Sequence, residues 1–287
     1  MGPPASHGCV AVGTRDQGRR SPCYVGQGHP RDGRGEVRQA CAGAGVRDCA
    51  PMIKRLVLLP GMHGTRELFS EFLRMMPEPT QIDAPCYPTD ASPSYNQLQA
   101  TVEFFAPSSE DFVLLAESFS TPLAIQYAAT NPPKLKGLIL CAGFATSPVH
   151  GWKISFLSLI APIAFRLPLP KIAVSRFLVG ADAPESLHTA VRAAIRSVEP
   201  RVLTTRLRQV LTVDARAELE KVSVPVLYIQ AQQDRLVGAS SLEEIQGIKP
   251  QTEVAKIEGP HLVIQREPQR CADVVTRFLH SLDSTAN

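Results

Sequence analysis

The chain has 287 residues, of which 44% are hydrophobic and 20% charged, and a formal net charge of +3. Those values suit a soluble globular protein of one large or two small domains, with room for a core that needs no disulfides. The excess charge lies entirely in residues 1–51, where seven Arg face four acidic residues and no Lys, so the balanced remainder offers no broad basic face for nucleic acid.

Residues 1–51 also contain ten of the 19 glycines and four of the seven cysteines, Cys9, Cys23, Cys41 and Cys49. They hold no apolar run long enough for a signal peptide or a membrane span, and their cysteines lack metal-site spacing. This composition predicts a disordered leader over 1–51, ahead of a folded domain over 52–287. The body keeps Cys86, Cys141 and Cys271. An odd count without a secretory signal predicts reduced thiols and a cytoplasmic protein. Cys141 lies in an apolar strand and reads as core.

From residue 53, IKRLVLL reads as a strand, followed by the Gly-containing loop PGMHGT. Leu68, Phe69, Phe72, Leu73 and Met76 have helical spacing. A short strand is predicted at 80–84, a Pro-rich loop at 85–93 and a helix at 94–105. Residues 112–116 are an apolar strand ending at Glu117-Ser118. A helix over 120–130 stops at Asn131-Pro132-Pro133. GLILCAG (137–143) is the next strand.

Residues 144–221 show no alternating strand pattern. They hold an apolar block at 154–167 and helical segments near 185–197 and 200–212. That block is too short to span a bilayer, and it is broken by Pro162 and Arg166. It reads as part of a helical cap, either as core or as the lining of a substrate tunnel. A surface meeting membrane or an acyl carrier is a further reading. Strands return at 224–231 and 252–258, and an amphipathic helix covers 268–282. Strand–helix alternation of this kind predicts an α/β fold: a mostly parallel, doubly wound sheet with a helical insertion over one end.

Ligands of open parallel sheets bind beyond the carboxyl ends of the strands. The polar residues at those ends are therefore informative. They are Pro60-Gly61-Met62-His63-Gly64 after the first strand and Ser118 after the strand at 112–116. Asp234 follows 224–231, and His261 follows 252–258. Taken alone, Ser118 is a helix cap and Asp234 a turn residue. Taken together, a Ser, an Asp and a His converge on one end of the sheet. His261 stands out from His63, His150, His188 and His280 because a Gly-Pro turn sets it directly after the last strand.

This order, Ser then Asp then His after successive strands, resembles the α/β-hydrolase superfamily over essentially all of residues 53–282. LLPGMHGTRELF and AESFS are most similar to small acyl-ester and thioester hydrolases with a PGxxGT oxyanion loop. The resemblance implies that Ser118 is the nucleophile, His261 the general base and acid, and Asp234 the orienting acid. It places the oxyanion hole on the backbone amides of Met62 and Phe119. His63 and Trp152 are candidate pocket residues. The implied substrate is a small-molecule acyl ester or thioester, free or carrier-bound; no cofactor and no metal are implied.

Two features depart from the family's Gly-x-Ser-x-Gly elbow. Ala116 and Ser120 stand where the glycines would, and both are small. Glu117 precedes the nucleophile; it either raises the pKa of His261 or binds a neighbouring amide. The same scaffold also supports acyl transfer, C–C bond cleavage, or catalytically silent binding, so the fold alone leaves these open.

Overall fold

The computed structural model describes residues 53–284. The leader over 1–51, with its four cysteines, lies outside the described residues. Six strands form one wholly parallel sheet: β1 (Arg55–Leu59), β2 (Gln81–Asp83), β3 (Phe112–Glu117), β4 (Leu135–Cys141), β5 (Val226–Ala231) and β6 (Glu253–Ile257). Their order across the sheet is β2-β1-β3-β4-β5-β6. The predicted parallel α/β architecture is therefore correct. The chain runs outward in both directions from β1 and β3, so the topological switch point lies between these two strands, where ligand crevices form in such sheets.

The apolar strands are continuous because both faces of the sheet are covered. Side chains on a strand alternate between faces. On β3, Phe112, Leu114 and Ala116 join one core, while Val113 and Leu115 join the other. Strand β1 divides the same way, with Val57 and Leu59 against Leu56 and Leu58. Every residue of β3 is buried. Complete burial of a Val or Leu side chain stabilises by about 1.5–3 kcal/mol, so this strand is an anchor rather than a surface element.

Eleven α-helices cover the sheet or cross its end among the described residues. A short 3-10 turn leads into α1 (Ser70–Met75). Next is α2 (Tyr95–Phe105), which opens on a capping box: Ser94 accepts from the Gln97 amide, and the Gln97 side chain accepts from Ser94. A second 3-10 turn, Ser118–Ser120, leads into α3 (Thr121–Ala128). Between β4 and β5 come α4 (Trp152–Ala164), α5 (Lys171–Val174) with a π-helical turn over Ser175–Val179, α6 (Glu185–Arg196), α7 (Pro200–Thr212) and α8 (Arg216–Lys221). The order closes with α9 (Ala239–Ile248), α10 (Val263–Arg266) and α11 (Pro268–Ser284).

The apolar block at 154–167 is therefore mostly the helix α4, with Pro162 inside its last turn. Helix α9 was not anticipated from the sequence. None of the helices formed by the described residues is long and apolar enough to cross a membrane.

Candidate active site

Strand β3 ends at the switch point, and the chain must turn sharply there into α3. Ser118 makes that turn with φ +49°, a left-handed conformation uncommon for a residue with a Cβ. The turn lifts the half-buried hydroxyl out beyond the sheet. Thr121 secures it from below. Its Oγ1 donates to the Ser118 carbonyl at 2.8 Å and accepts from the Phe144 amide at 3.0 Å.

The β6–α10 turn brings His261 to Ser118, with Nε2 to Oγ at 2.8 Å. On its other side, His261 Nδ1 lies 2.7 Å from Asp234 Oδ2, at the end of β5. A carboxylate accepts only, so the proton sits on Nδ1, and Nε2 is left to accept from the serine hydroxyl. The Asp234 Oδ1 atom accepts from the amides of Leu236 and Val237 at 2.8 and 2.9 Å, which fixes the carboxylate. Burial of the ring works against protonation of His261. The Asp234 carboxylate and, from farther away, Glu117 outweigh that and raise its pKa above the ordinary 6.5. The arrangement suits proton transfer from Ser118 with a stabilised imidazolium.

Glu117 is wholly buried, and its carboxylate is hydrogen-bonded outside this line of three. Its Oε1 accepts from Gln265 Nε2 at 2.9 Å. Its Oε2 faces His63 Nε2 across 3.6 Å, too long for a hydrogen bond. Since the Thr65 amide donates to His63 Nδ1 at 3.1 Å, the neutral ring carries its proton on Nε2, toward the carboxylate. Both sequence readings of Glu117 thus have a structural counterpart: it holds an amide, and its charge adds to the field at His261.

The loop after β1 turns tightly, with the Gly64 amide donating to the Gly61 carbonyl at 2.9 Å. A Cβ at Gly61 would lie 3.0 Å from Glu117 Oε2. Gly64 has φ +72°, and a Cβ there would lie 2.7 Å from Arg206 Nη1. Arg206 reaches in from α7, almost fully buried, and donates to the carbonyls of Met62 at 2.8 Å and Pro88 at 2.7 Å. It also sits over the rings of Tyr87 and Phe119. None of the ion pairs among the described residues involves it, and burial pushes its pKa down to about 10. Tyr87 contacts the elbow too, its hydroxyl 2.6 Å from Ser120 Oγ, which in turn donates to the Pro60 carbonyl. Ser120 therefore does what a glycine there could not: it ties the elbow to the loop after β1.

Ser118 and His261 open into a cavity of about 680 Å³, a usual size for a small-molecule site. Its walls are mostly apolar and come largely from the helices between β4 and β5, including Leu157, Phe165, Val191, Leu203 and Leu207. Met62, His63 and Phe119 line it as well. Trp152 does not. It is 73% exposed at the start of α4, packed edge-on to Phe156, so its expected pocket role is corrected. An N-terminal helix position aims its side chain outward here, and Leu157 lies on the inner side instead. Gln265, Tyr87 and Arg206 escaped the sequence reading. Only Gln265 left a trace, as a polar residue within an otherwise apolar turn just after His261. No His, Cys, Asp or Glu cluster able to hold a metal occurs among the described residues.

With this geometry in place, comparison with known proteins is informative. The model of the alpha/beta hydrolase family matches residues 56–274. Among curated proteins, the chain is 27% identical over 234 residues to the biotin biosynthesis bifunctional protein BioHC of Cellvibrio japonicus (strain Ueda107). That match covers 78% of this chain and 45% of the relative, so the chain spans under half of that protein's length. A bromoperoxidase from Bacillus anthracis shares the fold at a TM-score of 0.70 and 16% identity, over 80% of this chain and 92% of the other. A thermophilic esterase from Thermogutta terrifontis does so at 0.67 and 17%, over 82% and 92%.

Proposed function

Given that the chain belongs to the alpha/beta hydrolase family, we propose that it hydrolyses a carboxylic ester or thioester through an acyl-enzyme on Ser118. The observation that carries this reading is the hydrogen-bonded line Ser118–His261–Asp234, with Ser118 and His261 in the wall of an apolar cavity.

In the first half-reaction, Ser118 Oγ attacks the acyl carbon while its proton passes to His261 Nε2. The resulting oxyanion lies against the backbone amides of Met62 and Phe119, and the imidazolium against Asp234. Collapse breaks the bond to the alcohol or thiol, which leaves with the proton from Nε2. Water then attacks the acyl-serine, gives its proton to His261, and releases the carboxylic acid as Ser118 recovers its proton. The 3-10 turn Ser118–Ser120 leads straight into α3, whose N-terminal end adds a positive field near the same oxyanion. We assign the helices between β4 and β5 as a cap whose apolar inner side accepts a medium or long acyl chain.

Labelling with a fluorophosphonate probe tests the assignment. The native protein is expected to label stoichiometrically and Ser118→Ala not at all. Equal labelling of both would overturn the nucleophile. Release of free acid from p-nitrophenyl esters in water, across increasing chain length, then separates hydrolysis from acyl transfer.

A further inference from the structure

Seven of the ten exposed large apolar side chains among the described residues fall between 152 and 177. Leu159 and Ile172 are each 76% exposed, Trp152 73%, Ile163 65% and Leu167 63%. Water-exposed apolar side chains are ordinary when scattered, but here they concentrate in one segment, with Trp152, Phe156, Leu159 and Ile163 spaced along one side of α4, which marks an interaction site. The same segment holds four basic residues, Lys153, Arg166, Lys171 and Arg176, and no Asp or Glu occurs between 151 and 181. Of these four, only Lys171 forms an ion pair among the described residues, to Glu185. The cavity also comes to the surface here: Arg166, Leu167 and Phe177 are at once exposed and part of its lining.

We propose that residues 152–177 form a docking face for an anionic lipid bilayer, on which the protein lies with its cavity mouth against the lipid. The chemistry favours this occupant over two others. Two copies packed through the same patch would bring Lys153, Arg166 and Arg176 toward their own like charges. An acidic protein partner would need more basic charge and less bare hydrocarbon than this face carries. A bilayer surface satisfies both parts: Leu and Ile side chains enter the acyl boundary, and the cationic side chains and Trp152 sit at headgroup level. Helix α4 has 13 residues, too few to cross a bilayer, so it lies on the surface. Lipid-borne acyl groups then reach the cavity without passing through water. That last step rests on the proposed hydrolase reading; the docking itself does not.

The test is co-sedimentation of the full chain with vesicles of phosphatidylcholine alone and with added phosphatidylglycerol. Partition is expected to be roughly tenfold or more stronger on the anionic vesicles, and to weaken with salt. A triple variant, Leu159→Glu, Ile163→Glu and Ile172→Glu, is expected to lose at least about tenfold in partition. None of these side chains lines the cavity, so the triple variant keeps its melting temperature and its turnover of a soluble short ester. Ser118→Ala is expected to bind vesicles as the native chain does, which separates failure of the nucleophile from failure of docking. Absence of vesicle binding, or equal binding by the triple variant, overturns the proposal. So does a native dimer that fails to bind vesicles and dissociates in the triple variant, which would assign the face to a second copy. Binding to an acidic acyl carrier protein without binding to vesicles also overturns it.

Discussion

Gln265 donates its side-chain amide to Glu117 across 2.9 Å, so the residue before Ser118 is held by α10, the helix that follows His261. This contact keeps the buried carboxylate close enough to His261 for its charge to matter, yet out of reach of the Ser118–His261 bond. Burial lowers the His261 pKa, while Asp234 and Glu117 raise it, and the net result lies above 6.5. His261 must be neutral to take a proton, so activity should rise with pH through that value. Removing the charge with Glu117→Gln should move this limb of the kcat/KM profile to lower pH. A limb that stays in place would restrict Glu117 to packing.

Asp234→Asn should lower kcat by about 10⁴-fold with little change in fold. The amide oxygen can still accept from Leu236 and Val237. Its NH₂, however, would donate to Nδ1, force the ring proton onto Nε2 and remove the acceptor for Ser118. Steady-state kinetics beside a circular dichroism spectrum checks both halves.

Ser120 Oγ is shared by Tyr87 and the Pro60 carbonyl, all of them buried around the elbow. Ser120→Ala leaves a phenolic hydroxyl and a carbonyl without that partner and should cost about 1–3 kcal/mol in urea unfolding. Adding Tyr87→Phe removes the stranded hydroxyl. The double variant should therefore cost less than the sum of the single changes. Strict additivity would mean that the two side chains do not act as a unit.

Leu207 lines the cavity from α7. Leu207→Trp should fill part of it and shift the preferred p-nitrophenyl ester to a shorter acyl chain. The loss in kcat/KM should fall on the long esters only, at about 1–3 kcal/mol of discrimination, or some ten- to 200-fold. An equal loss across all chain lengths would place the acyl group elsewhere.

The sheet was legible because each strand is an uninterrupted apolar run, a consequence of being covered on both faces. The approach of Ser118, Asp234 and His261 was legible because strand ends in a parallel sheet share one edge, so residues 143 positions apart become neighbours through topology alone. The side chains between these elements were harder to read. Arg206 sits in a helix among other charged residues, and nothing in its local pattern separates a buried guanidinium from a solvated one. Trp152 failed for the opposite reason. A large aromatic beside an apolar run is ordinarily interior, but among the described residues the outer side of this run is exposed.

The Arg206 contacts also govern how the cavity can open. Swinging α7 away from the sheet would pull a guanidinium out of the carbonyls of Met62 and Pro88 and strand it among apolar groups. That half of the helical insertion is therefore a fixed wall and moves only with the loop after β1. Through Arg206, any shift of this cavity wall is therefore carried to the Met62 and Pro88 peptide groups, so the fit along α7 and the shape of the loop after β1 are coupled.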